Sequence, residues 1–276
     1  MLLVTGASGG LGSLIAGRLA GRDDVVTGTR APGAGERRVD FDDPHPRGLA
    51  DAFAGVDTLL LISAGYGEDD AVIARHDAAI TAAGKAGVRH VVYTSLSGDG
   101  DHLTYALAHR WTERRLRESP LAWTVLRNGL YAELLAHLAA PGPDGVITAP
   151  LGTGRLAAVA REDLAEAAVR VALDPARHTG RTYELVGEVP LGGAELAAAA
   201  GAAYAPGTLA GAREAIAASG AVPFQVPMLV STYAAIAAGF MDGSRIPAAE
   251  RGNLRELLGR APRRAAEVYA ENLPPR

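Results

Sequence analysis

The stretch LLVTGASGGLGSLIAGRL, Leu2 to Leu19, decides how the rest of the chain is read. Leu2 to Thr5 is apolar or β-branched and runs directly into Gly6-Ala7-Ser8-Gly9-Gly10-Leu11-Gly12, after which small and apolar residues recur at helical spacing. A strand that breaks on glycine and restarts as a helix is the opening of a mononucleotide-binding unit. Each glycine has a mechanical part in it. Gly6 makes the tight turn, Gly9 lets the backbone approach a pyrophosphate, and Gly12 lets helix and strand pack closely. The free N–H groups at the helix N-terminus, on the positive end of its dipole, would receive the diphosphate. A plain strand-to-helix bend is the alternative, and the chain beyond the turn decides between the two.

Past Leu19 two kinds of segment alternate. Short β-branched runs at Val25–Thr29, Arg38–Phe41, Thr58–Ser63, His90–Ser95 and Trp123–Arg127 predict strands. Between them Leu11–Gly21, Arg47–Phe53, Asp70–Ala86 and Leu103–Glu118 predict helices. The order gives an α/β class, a doubly wound Rossmann-type parallel sheet covered on both faces and joined by right-handed crossovers. Past Asn128 the pattern loosens. A strand at Thr182–Val186 returns to the sheet, and Leu191 to Leu273 reads as a smaller, mostly helical lobe. The domain reading is therefore a dinucleotide-binding domain over 1–128, with 161–187 packing back on it, and a mainly substrate-binding lobe over 129–276. Ala221–Phe240 has about the 20 residues that a bilayer span needs. Pro223, Gln225, Pro227, Ser231 and Thr232 interrupt it, so a pair of short helices laying an apolar face over a pocket is expected instead.

Composition narrows the function. The 276 residues are 48% hydrophobic and 21% charged, enough for a substantial core. A net charge of −4 provides no field for a nucleic-acid backbone. The absence of cysteine removes disulfides, thiolate metal sites and Cys nucleophiles. His45, His76, His90, His102, His137 and His178 lack ligand spacing with carboxylates, so no metal site is expected. Asp42-Asp43 and Glu68-Asp69-Asp70 precede predicted helices and read as N-terminal charges; Trp111 and Trp123 read as core. Met1 leads straight into a strand with no basic segment or cleavage site, which predicts a cytoplasmic protein outside the membrane. The sequence allows a homodimer without specifying one.

The end of the second strand selects the dinucleotide. An NAD enzyme places Asp or Glu about 20 residues past the glycines to bind the ribose 2′-hydroxyl. Here Arg30 follows Thr29, and a guanidinium there suits a 2′-phosphate, which favours NADPH; a solvated surface arginine is the alternative. Asp40 and Phe41, closing the third strand, would flank the adenine. Leu61, Ile62 and Ser63, closing the fourth, would pass the ribose and diphosphate.

With these residues in place the chain resembles the NmrA-like atypical short-chain dehydrogenase/reductases, most closely the type 2 NAD(P)H:quinone oxidoreductases. The resemblance spans nearly the whole chain and rests on TGASGGLG, LLLIS, AAGKAGVRHVVYTSL, TVLRNGLYAE, LAAVAREDLAEAA, YELVG and NLRELLGRAP. It implies that Gly6 to Leu11, Arg30, Leu61 to Ser63 and Asn128, Gly129, Leu130, Tyr131, Ala132 and Glu133 line an NADPH cleft, the last six against the nicotinamide half. An ordinary turn at Asn128-Gly129 and a core-packed aromatic at Tyr131 are the alternatives.

Conventional members of the superfamily use Tyr-x-x-x-Lys, the lysine lowering the tyrosine pKa so that it can protonate a carbonyl oxygen. This chain has Tyr105-Ala106-Leu107-Ala108-His109, and a histidine is mostly neutral at pH 7. Ser95 and Ser97 also stand closer to Tyr105 than that triad requires. Hydride transfer to a quinone needs no strong acid, because the hydroquinone anion it leaves is delocalised; proximity of two flat rings supplies much of the rate. The expected substrate is thus a small quinone or similarly conjugated flat apolar molecule, with His109, Tyr131 and Ser95 as proton-donor candidates. His109 matches a histidine of the resembled proteins through HRWTERRL and could orient the ribose or donate; a half-buried helix histidine is equally open. Two other functions stay open: a non-catalytic NmrA-like dinucleotide sensor with a protein partner, and a tailoring reductase, isomerase or cyclase on polyketide-like rings. RNGLYAE and the tail favour the quinone reductase.

Overall fold

A computed structural model describes residues 1–43, 48–98 and 102–275. His45 and the expected helix start at Arg47 lie outside them. The elements run β1 (Leu2–Thr5), α1 (Gly10–Leu19), β2 (Val25–Thr29), β3 (Arg37–Arg38), α2 (Gly48–Ala52), β4 (Thr58–Leu61), α3 (Asp69–Ala86), β5 (His90–Leu96), α4 (Ala106–Arg117) and β6 (Ala122–Asn128). Then come α5 (Ala132–Leu138), β7 (Val146–Ile147), β8 (Arg155–Leu156), α6 (Arg161–Leu173), β9 (Arg181–Leu185), β10 (Leu191–Gly192), α7 (Gly193–Ala200) and β11 (Ala203–Tyr204). The helices α8 (Leu209–Ala218), α9 (Gln225–Ala237), α10 (Asn253–Leu258) and α11 (Ala265–Glu271) close the chain.

Seven strands form one sheet in the order β3-β2-β1-β4-β5-β6-β9. Leu2 pairs in parallel with Val25 on one side and with Thr58 on the other. Hydrogen bonds from Ala122 to Arg89 and from Ser97 to Asn128 fix β6 parallel to β5; those from Gly180 to Trp123 and from Gly129 to Leu185 do the same for β9. The sheet is the doubly wound one that the alternation predicts. Its strand order reverses between β1 and β4, and in such sheets ligands bind outside the carboxyl ends of the strands at that switch point. Helix α3 is charged as its dipole asks. Asp69 and Asp70 open α3, Lys85 sits in its last turn, and Gly87, at φ 77°, terminates it left-handed.

The chain divides into two compact units: Met1–Ser95 with Leu107–Arg127 and Leu164–Tyr183, and Leu96–Ala106 with Asn128–Asp163 and Glu184–Arg276. The core of unit 1 is strand and helix aliphatics around Phe53 and Tyr93, both fully buried. Unit 2 is packed differently. Its core is rich in alanine, among them Ala132, Ala136, Ala158, Ala160 and Ala235, and its backbones approach so closely that a Cβ on Gly187 would overlap the Ala158 carbonyl oxygen.

Several expectations are corrected. The third strand is only Arg37–Arg38, because Asp40 turns back: its carboxylate accepts the Asp42 N–H at 3.2 Å and pairs with Arg38 at 3.0 Å, which ends the ladder before Phe41. Ala221–Phe240 contains the single helix α9 rather than two. Pro227 falls in its first turn, where its missing N–H has no intrahelical partner to lose. Asp42 pairs with Arg75 at 2.7 Å, whereas Asp43 pairs with Arg38 at 3.0 Å with its carboxylate beside Gly48, the first described residue of α2. Trp111 and Trp123 are half-buried, the latter against the unit 1 core with Arg117 over its ring.

Candidate active site

In unit 1 the glycine turn has the geometry its composition demands. Gly6 sits at φ 65°, left-handed, and its carbonyl accepts the Gly9 N–H at 3.0 Å. A Cβ on Gly12 would overlap that same Gly6 carbonyl, so only glycine lets α1 start there. Gly9 caps the helix with no side chain, and the N–H groups of Gly10, Leu11 and Gly12 take no acceptor among the described residues. These amides, at the positive end of a ten-residue helix, are an anion cradle with the chemistry a dinucleotide diphosphate requires. Ala7 is buried beneath the turn, and Ser8 is exposed above it.

Across the switch point the segment after β4 is anchored by groups the sequence reading did not single out. Ile62 N–H donates to Thr5 Oγ1 at 3.2 Å, Ser63 N–H to Thr94 Oγ1 at 2.9 Å, and Ala64 N–H to His76 Nε2 at 3.0 Å. Leu61 is fully buried. These three amides are therefore spent, and the Ser63 hydroxyl lies 3.4 Å from the same His76 Nε2. Because the Ala64 amide must donate, His76 carries its proton on Nδ1 and gives it to Thr112 Oγ1 at 2.8 Å. Burial, and then the charge on His109, push the His76 pKa down to about 3.

Arg30 is exposed just past β2 and makes no hydrogen bond among the described residues. Phe41 packs on the unit 1 core, while Asp40 is engaged by Arg38. The two donor candidates of this unit are both tied in. Ser95 Oγ donates to Glu113 Oε1 at 2.7 Å inside a cluster where Arg110, Arg117 and Arg127 all reach the same buried carboxylate. Burial alone would raise the Glu113 pKa; the hydrogen bond from Arg127 and the charge of Arg110 outweigh it and hold the pKa at about 2. His109 Nδ1 lies 2.9 Å from the Tyr93 hydroxyl, and burial lowers its pKa to about 4. Both rings are thus neutral near pH 7, since burial also raises the Tyr93 phenol.

In unit 2 the Asn128–Glu133 segment is laced to neighbouring backbone. Asn128 is 6% exposed, its carbonyl accepts the Ser97 N–H, and its carboxamide makes no hydrogen bond among the described residues. Gly129 is glycine for a steric reason: a Cβ there would stand 3.1 Å from the Leu185 carbonyl oxygen. Val159 bonds to both Leu130 and Ala132, at 3.0 and 2.9 Å. The Arg161 guanidinium lies 5.0 Å over the Tyr131 ring, and burial raises the Tyr131 pKa against that charge. Glu133 accepts the Arg161 N–H at 3.1 Å, so its carboxylate caps α6.

Beside this segment a narrow cleft within unit 2 opens to solvent. Leu130, Leu156, Val186, Met241 and Ile246 give it apolar walls, and Ser97, His102 and Arg245 supply its polar groups. His102 stacks on Phe240 with ring centroids 5.0 Å apart. Tyr131 is not among its lining residues, whereas its neighbour Leu130 is. The Phe240–Ile246 loop was invisible to periodicity; its signal is the GFMDGSRIP run, an aromatic and an arginine set among turn residues just past α9.

A family profile described as NAD(P)H-binding matches residues 6–175, well over half of the chain. The chain belongs to the NAD(P)H-binding family. It is 36% identical over 202 residues to quinone oxidoreductase 2 of Escherichia coli K12, a match covering 68% of this chain and 69% of that one. Among solved structures it is similar to an Escherichia coli NADPH-dependent quinone oxidoreductase complexed with NADPH, at 30% identity and TM-score 0.84 over 98% of this chain and 99% of that one. A Citrobacter triphenylmethane reductase complexed with NADP(H) is similar at 27% identity and TM-score 0.86, over 99% and 100%. The expected kinship with the quinone oxidoreductases holds, and the chain is an NAD(P)H-dependent reductase. No helix among the described residues is long and apolar enough to cross a membrane.

Proposed function

We propose that this protein reduces quinones and similarly conjugated flat molecules with NADPH. The observation that carries the reading is the uncapped, glycine-lined start of α1 in a chain 36% identical to a quinone oxidoreductase. When bound, NADPH supplies a hydride, so that NADPH, a quinone and one proton give NADP⁺ and a hydroquinone. The residues of unit 1 hold the diphosphate on the Gly10–Gly12 amides, and Arg30 takes the 2′-phosphate. Asp40 and Phe41 are assigned to the adenine end and Leu61 to Ser63 to the ribose. In unit 2 we assign Asn128, with its uncommitted carboxamide, to the nicotinamide half, with Gly129 to Glu133 forming the same segment. The apolar cleft takes the acceptor ring.

No single side chain is asked to be a strong acid. Ser95 already spends its proton on Glu113, which leaves His109 and Tyr131 as the donor candidates. Because the hydroquinone anion is delocalised, His109→Ala and Tyr131→Phe should each lower kcat less than about tenfold, against the typical 10²–10⁴-fold of an obligate acid. NADPH oxidation with a panel of benzoquinones and naphthoquinones tests the function. Turnover with NADPH preferred over NADH supports it, and cofactor binding without turnover of any quinone or enone rejects it.

A further inference from the structure

The cleft of unit 2 holds a cation without a counterion among the described residues. Arg245 is exposed at its rim, and its guanidinium carbon lies 4.2 Å from the centre of the Phe240 ring. It makes no hydrogen bond or ion pair among the described residues. Of the acidic groups close to it in sequence, Asp242 accepts the Ser244 N–H at 2.8 Å, and neither Asp242 nor Glu250 is paired with it among the described residues. Neighbouring arginines are committed. Arg251 donates to the carbonyls of Ile246 and Ser244, both at 2.8 Å, and so pins the loop that carries Arg245; Arg255 pairs with Glu188 at 2.6 Å. No Asp or Glu is among the described residues that line the cleft.

A guanidinium stacked on a ring keeps its in-plane N–H donors available, and those donors match the two oxygens of a carboxylate or sulfonate. Ser97 adds hydrogen-bonding capacity on an otherwise apolar wall, and His102 Nε2 lies 3.2 Å from Met241 Sδ. We propose that the cleft selects a flat aromatic acceptor bearing an anionic oxygen substituent, which Arg245 binds at the rim while the ring lies among Leu130, Leu156 and Met241. This rests on the reading of the cleft as the acceptor site. Arg245 is a specificity-determining residue here and takes no part in hydride transfer.

The test measures binding first, independently of turnover. The NADP⁺-loaded protein is titrated with naphthalene-2-sulfonate and with 2-naphthalenemethanol, in the parent, Arg245→Gln and Arg245→Lys proteins. The expected result is at least tenfold tighter binding of the sulfonate to the parent at low salt. Arg245→Gln should bring that ratio to about one, Arg245→Lys should retain part of it, and added salt should erode it. Equal binding of the two probes by the parent, or an undiminished preference in Arg245→Gln, overturns the proposal. So does a shift of NADPH affinity in Arg245→Gln without a shift for the sulfonate, since Arg245 would then serve a cofactor phosphate. The same comparison in kcat/KM, using a naphthoquinone and its sulfonated analogue, addresses the function separately. Selective binding without quinone turnover would reject the proposed reaction and leave the anion site standing.

Discussion

Gly12 has the least room of any residue in the turn, because its missing Cβ is where the Gly6 carbonyl already lies. Gly12→Ala must therefore push α1 away from β1. We expect it to cost about 1–3 kcal/mol, the usual range for overpacking, and to weaken NADPH more than tenfold by misaiming the Gly10–Gly12 amides. Thermal unfolding and a fluorescence titration measure the two effects. Arg30 is tested by cofactor choice. Arg30→Ala should raise the KM for NADPH about tenfold, the loss of roughly 1.5 kcal/mol from a charge-assisted hydrogen bond, and leave NADH within about twofold. Equal effects on both cofactors would remove the 2′-phosphate role. At this scale the sequence was most readable where a residue type has one steric use, as at Gly6 and Gly12. It was least readable where a residue type has several. His76 can ligate metal, fill a core or accept a hydrogen bond, and only the fold brings the Ala64 amide to its ring.

At the scale of elements, α4 carries the most charged buried feature of unit 1. Its Glu113 side chain is fully buried and holds Arg110, Arg117 and Arg127, the last bridging from β6. Glu113→Gln leaves three guanidinium groups facing an amide and should cost about 3 kcal/mol or more in urea unfolding, as removal of one partner from a buried ion pair does. A loss below about 0.5 kcal/mol would mean the cluster is solvated. The cluster also sets an acid limit. Glu113 titrates at about 2 in the folded protein against 4.5 ordinarily, so its stabilisation is present above 4.5 and is lost as pH falls through that window. His76 acts in the same direction in a higher window. Its pKa is about 3 folded and 6.5 ordinarily, so the unfolded chain takes up the proton first and stability declines as pH drops below 6.5. The melting temperature should fall from pH 7 to pH 5, and His76→Gln should flatten that slope. β1 and β2 have the ends their sequences announce, since apolar runs bounded by glycine or charge leave little choice. β3 and α9 do not, because an Asp40 side chain and the place of Pro227 within a turn decide them, and periodicity sees neither.

For the whole molecule the simplest prediction is linkage. NADPH at 100 times its dissociation constant should stabilise the folded chain by about 2.7 kcal/mol and raise the melting temperature by roughly 5 °C. NADH at equal concentration should give less, in proportion to its weaker binding. The alternating half of the sequence disclosed its architecture because a parallel sheet repeats one local rule. The remainder obeys no such rule: the cleft is assembled from Leu130, Leu156, Val186 and the Phe240–Ile246 loop, which share no pattern along the chain. The alanine-rich packing of unit 2 has a further consequence for how this protein can change over generations. Where that core is lined by alanine methyls, truncation removes little and growth finds no slack, so tolerated variation at those positions should be one-sided. In a saturation library, Ala132, Ala158 and Ala160 should accept glycine or serine more often than valine or leucine, while Leu130 and Ile246 on the cleft wall should drift freely in size and carry the divergence of substrate preference.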